Sequence, residues 1–131
     1  MKDKWEAINA ILDIASQKTD INSNISLEIY VHQLSNLIRT KIIDTDVTNE
    51  ELHEIEIKKE QDKPYLKLEC LIKERCKLTE KGYELKNLIR CDLFNEVIDS
   101  IENHKVECSI DMAIDFTKAA LKQAVINDAI A

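Results

Sequence analysis

A mainly α fold with one small β-hairpin is expected for this chain, and three observations predict it. Only one Gly and one Pro interrupt 131 residues, whereas an all-β chain needs turn residues every few positions. Apolar residues recur at spacings of three and four through four separate segments, the period of a helix face. One region alone, near residues 54–70, alternates apolar and polar residues as a strand does.

The first segment sets Trp5, Ile8, Leu12 and Ala15 three and four apart, with Ile11 beside them, which makes one apolar stripe on a helix. Lys18, Thr19, Asp20, Asn22, Ser23 and Asn24 then gather side chains that compete for backbone hydrogen bonds. A turn is expected there. A second helix is expected near Ser26, capped by Ser26 or Asn24, with Leu27, Tyr30, Val31, Leu34, Leu37 and Ile38 as its apolar side. Its other side carries His32, Gln33, Ser35, Asn36, Arg39 and Thr40, residue types that hydrogen-bond base edges and phosphates.

The period then changes. Glu54-Ile55-Glu56-Ile57-Lys58 and Leu66-Lys67-Leu68-Glu69-Cys70 alternate on either side of Gln61 to Pro64, which reads as a hairpin with Lys58, Lys59 and Lys63 around its tip. Leu68, Leu71, Ile72 and Arg75 also suit a helix, so residues 65–77 stay open between the two. After Thr79 one long helix is expected through Leu85, Leu88, Ile89, Leu93, Val97, Ile98 and Ile101, with Gly82 in its first turn marking close packing or a bend. Asn103-His104-Lys105 ends it. Ser109 then caps a last helix that is apolar around much of its circumference.

Helix, polar turn, helix with a readable polar face, hairpin and helix is the order of a winged helix-turn-helix, here followed by two C-terminal helices. At 131 residues one core is expected, so residues 1–131 are taken as one domain with 103–131 as a helical extension. Leu37-Ile38-Arg39-Thr40-Lys41-Ile42-Ile43-Asp44 resembles the end of a winged-helix recognition helix. Lys77-Leu78-Thr79-Glu80-Lys81-Gly82-Tyr83-Glu84-Leu85 resembles the Leu-Thr-x-x-Gly junction where a wing returns into the next helix. Residues 77–128 are similar in layout to the C-terminal part of an uncharacterised bacterial and phage-associated winged-helix family. The resemblance implies the architecture and a DNA-associated, phage-linked setting more than an activity. The chain departs from that family's pattern at Lys41, where a Gly usually precedes the Leu-Ile pair, and at Glu80 and Tyr83.

Charge and chemistry narrow the function. Formal net charge is −7. Residues 1–49 hold 5 basic and 7 acidic side chains, residues 50–90 hold 10 and 10, and residues 91–131 hold 3 and 8. Nucleic-acid contact is therefore expected only in the first two thirds. The expected DNA-binding residues are Gln33, Asn36, Arg39, Thr40 and Lys41 of a recognition helix near residues 26–43, with Lys58, Lys59 and Lys63 on phosphates. The alternative is an acidic adaptor, inhibitor or immunity-type protein, whose Asp92, Glu96, Asp99, Glu102, Glu107, Asp111 and Asp115 meet a basic protein.

No enzyme is expected, because one Gly cannot build a phosphate loop or a nucleophile elbow and His32, His53 and His104 fall on different elements. No cofactor and no metal are expected either, since Cys70, Cys76, Cys91 and Cys108 lack paired-ligand spacing and read as free, buried thiols. With no export signal and no membrane-length apolar run, the expected location is cytoplasmic. The two C-terminal helices are expected to offer a homodimer surface, since the segment Ser109 to Ala131 is apolar over much of its circumference and its small alanines permit close helix approach.

Overall fold

The structure is a computed structural model that describes residues 2–57 and 63–130. Its elements run α1 Lys2–Gln17, α2 Leu27–Arg39, β1 Ile43–Thr45, α3 Asn49–Ile57, α4 Pro64–Arg75, β2 Cys76–Leu78, α5 Glu80–Ile89, α6 Asp92–Asn103 and α7 Ile110–Ile130. The chain is mainly helical with a two-stranded antiparallel sheet. It divides into two compact units, Met1–Tyr83 and Glu84–Ala131.

In the first unit α1 packs on α2, α4 and β2, and α2 packs also on β1 and α3. The expected stripe of α1 is the inner one, with Ile8, Ile11, Leu12 and Ala15 buried. Leu27, Tyr30, Leu34 and Leu37 of α2 meet the same core. Burying each such side chain is worth about 1.5–3 kcal/mol, so these stripes, rather than propensity, hold the helices.

The hairpin expected from Glu54 to Cys70 is not formed. Leu52, not the alternating pair Ile55 and Ile57, is the buried anchor of α3, and Ile57 is left 64% exposed. Pro64 stands at the first turn of α4, where its missing N–H costs nothing, and Leu68 and Ile72 point inward one turn apart. Residues 65–75 are thus helix. The strands lie elsewhere: β1 and β2 pair with Ile43 opposite Leu78, Asp44 opposite Lys77 and Thr45 opposite Cys76. Two helices, α3 and α4, stand between these strands in sequence.

The end of α2 is a complete Schellman turn. Ile42 N–H donates to Leu37 O at 2.9 Å and Lys41 N–H to Ile38 O at 3.2 Å, while Lys41 takes φ 66°. That conformation suits Gly; this chain holds a lysine in it. β1 follows directly, and Thr79 closes the other side: its N–H donates to Ile42 O and its hydroxyl accepts the Gly82 N–H, both at 3.1 Å, capping α5.

Arg90 and Cys91 divide the long helix expected after Thr79 into α5 and α6. The division is hydrogen-bonded, with Cys91 N–H on Leu88 O and Phe94 N–H on Cys91 O, each at 3.0 Å. In the second unit α6 packs on α7, with Phe94, Ile98, Ile110, Ala113 and Ile114 buried. The expected break at Asn103 to Lys105 is present, with Lys105 at φ 59°. Ser109 caps α7 as expected, its Oγ accepting the Met112 N–H at 3.2 Å. Among the described residues no helix is long and apolar enough to cross a membrane.

Candidate macromolecule-binding surfaces

Five of the eight residues expected on DNA sit in the last two turns of α2 and the cap that follows. Gln33 is buried at 5% exposure, and its Oε1 has no hydrogen-bond partner among the described residues. It therefore does not face a groove, because the helix face that carries it turns inward. Asn36 and Thr40 are half-buried and already engaged: Asn36 Oδ1 accepts from Arg39 Nη2 at 2.6 Å, and the Thr40 hydroxyl donates to Asn36 O at 2.9 Å. Arg39 and Lys41 are exposed. Lys63 is exposed at the N-cap of α4, and Lys58 and Lys59 lie outside the described residues. Lys81 joins the end of α2, donating to Thr40 O at 3.1 Å.

The face of α2 expected to be readable is flanked by an acidic helix. Glu28, His32 and Ser35 of α2 and Asn49, His53 and Glu56 of α3 line one cleft of about 250 Å³, where Ser35 Oγ donates to Asn49 Oδ1 at 3.4 Å. Glu28 and Glu56 put two carboxylates on that cleft, which repel a phosphate backbone.

Two polar clusters that sequence spacing did not expose hold this unit together. Glu69, only 8% exposed, accepts the Ile21 N–H at 2.5 Å through Oε1, and its Oε2 lies 3.5 Å from Lys73 Nζ. Lys18 Nζ donates to Lys73 O at 2.7 Å, so the turn after α1 is tied to the end of α4 twice. Arg75 forks onto Glu51 at 2.7 and 3.3 Å and reaches Asp46 at 2.8 Å. Asp46 and then Glu51 raise the guanidinium pKa, and the Arg75 hydrogen bond in turn lowers that of Asp46. Partners this far apart in sequence leave no periodic signal.

The thiols are all free, but only Cys76 and Cys108 are buried; Cys70 is exposed because its side of α4 faces solvent. Burial pushes the Cys76 thiol up, which suppresses its thiolate. Burial likewise raises the Tyr30 phenol, whose hydroxyl donates to Asn22 O at 2.8 Å. Among the described residues no three His, Cys, Asp or Glu side chains converge as metal ligands.

In the second unit, Asp92, Glu96, Asp99 and Glu102 follow one another at four, three and three residues along α6. Asp92, Glu96 and Asp99 are exposed, Glu102 is half-buried, and none of the four forms an ion pair with a described residue. Like charges at such spacing cost about 0.2–0.5 kcal/mol per pair. Burial of Phe94 and Ile98 on the other side outweighs that. Beside this stripe Val97, Ile101, Val106, Met112 and Phe116 line an apolar groove of about 370 Å³.

No family model, curated protein or solved structure matches the chain.

Proposed function

We propose that this chain is an acidic protein-binding module, an adaptor, inhibitor or immunity-type protein, that recognises a basic protein through α6. The observation that carries this reading is the carboxylate row Asp92, Glu96, Asp99 and Glu102, which forms no ion pair with a described residue. A basic partner relieves its self-repulsion and is steered toward it from a distance. Affinity purification of the tagged chain from its own cells, read by mass spectrometry, should recover one stoichiometric basic protein. A Glu96→Lys and Asp99→Lys double variant of unchanged thermal stability should lose it. Recovery of nucleic acid without a protein, or equal recovery by the double variant, rejects the reading.

A second reading, a nucleic-acid-binding regulator or accessory protein of a mobile element, is favoured by one specific feature. Arg39 and Lys41 are exposed where α2 ends, and Lys81 reaches the same turn. In this reading the first unit is a winged-helix variant in which α3 and α4 replace the tip of the wing between β1 and β2. With Gln33 buried and Asn36 and Thr40 engaged, the contacts left are largely to phosphate. Binding of duplex DNA should then be sensitive to salt and weak in sequence preference, and Arg39→Ala and Lys63→Ala should each lower it. No shift of a labelled duplex at low ionic strength removes this reading.

A further inference from the structure

Helix α7 is apolar on two opposite faces. Its inner face, Ile110, Ala113, Ile114 and Thr117, is buried. Met112, Phe116, Ala119 and Ile126 follow at four, three and seven residues, with Gln123 on the same line, and form a second stripe. At 3.6 residues per turn these positions fall within about 80° of one another, on the side away from the buried set. Phe116 is 52% and Ile126 46% exposed, and no residue beyond Thr117 on α7 is buried among those described. A second apolar stripe of this length on one helix is ordinarily covered.

We propose that the second stripe is covered by α7 of a second copy of this chain, running antiparallel. Charge decides both the occupant and the direction. Asp111, Asp115, Lys118 and Lys122 line one flank of the stripe, acids in the first half and lysines in the second. In an antiparallel helix pair a flank meets the same flank of its partner. Each copy's acids therefore meet the other's lysines, whereas a parallel pair turns this flank toward the partner's opposite flank, which carries none of these four charges. Setting Phe116 against the second copy's Ala119 places Met112 against its Gln123 and brings Asp115 within one turn of its Lys118 and Lys122. The small Ala119 lets the helices approach at the centre. In this register the second copy's Ile126 lies opposite Ser109, next to Val106 and Met112 at the end of the apolar groove, so that two exposed apolar features cover each other. Lys118 reaches Glu84 at 3.2 Å within its own chain, with both side chains partly exposed, and is available for exchange. The dimer does not depend on the carboxylate row of α6.

Sedimentation equilibrium on the full chain under reducing conditions tests the proposal. A mass near 30 kDa, twice 15.1 kDa, is expected across the micromolar range. Asp111→Lys with Asp115→Lys should weaken association by at least about tenfold, through like charges across the interface. Adding Lys118→Asp and Lys122→Asp should restore it, which a general loss of folding or a nonspecific apolar contact does not do. Phe116→Glu, at an exposed position, should also give a monomer with unchanged helix content. A 15.1 kDa species throughout overturns the proposal, as does a dimer indifferent to the charge reversal. So does a monomer that captures a different protein through Phe116.

Discussion

The backbone carbonyl oxygen of Ile42 stands against Gly82, inside contact distance of the point a Cβ there would occupy. Ile42 leads out of the α2 Schellman turn and Gly82 sits in the first turn of α5, so the chain's one glycine allows two distant segments to touch. Gly82→Ala drives a methyl group into backbone rather than into a flexible side chain. The variant should be destabilised by about 1–3 kcal/mol despite the better helix propensity of Ala. Urea unfolding checks this, and an unchanged midpoint would show that the contact relaxes freely.

Lys41 is the converse case. Its φ of 66° serves the Schellman turn, yet its side chain pays the left-handed penalty. Lys41→Gly should raise stability by about 1 kcal/mol, read as a higher urea midpoint at unchanged slope. A loss of stability would mean that the lysine side chain makes a compensating contact.

Thr117 is fully buried on α7, and its hydroxyl has no hydrogen-bond partner among the described residues. Thr117→Val keeps the shape and removes a desolvated polar atom, so a gain of about 1 kcal/mol is expected in thermal or urea unfolding. Destabilisation by a similar amount would reveal a partner for the hydroxyl.

Asp46 sets an acid limit on part of the first unit's stability. Its carboxyl is held below the ordinary aspartate range by the Arg75 hydrogen bond at 2.8 Å. Because the folded value lies below the unfolded one, the contribution is complete above the ordinary aspartate pKa of about 4. It is lost as pH falls through the lower, folded value. The difference in urea midpoint between the native chain and Asp46→Asn should be greatest near neutrality and vanish in acid. Because Asp46 is exposed, about 0.5 M salt should shrink it. A difference independent of pH would separate Asp46 from the titration.

Legibility tracked the range of the interaction that decides each feature. The stripes of α1 and α2, the cap at Ser109 and the break at Asn103 to Lys105 were readable because each rests on residues within a turn or two of one another. Arg39, set by spacing on the polar side of α2, is exposed, while Gln33 on that side is buried. The alternation of Glu54 to Ile57 misled because a four-residue apolar–polar pattern fits either period, and the anchor that decided it, Leu52, lay outside it.

The amphipathic helices, the acidic C-terminal third and the turn residues between them follow from the order of residues along the chain. Tertiary structure decided that β1 pairs with β2 across two intervening helices, that Gln33 is enclosed while Arg39 is not, and that Glu69 and Arg75 tie remote turns together. The physical reason is that periodicity records which residues can be buried along one helix. Which polar side chains end up covered depends on what another segment brings against them, and strands as short as Ile43–Thr45 and Cys76–Leu78 acquire their pairing only from the helices that hold them side by side.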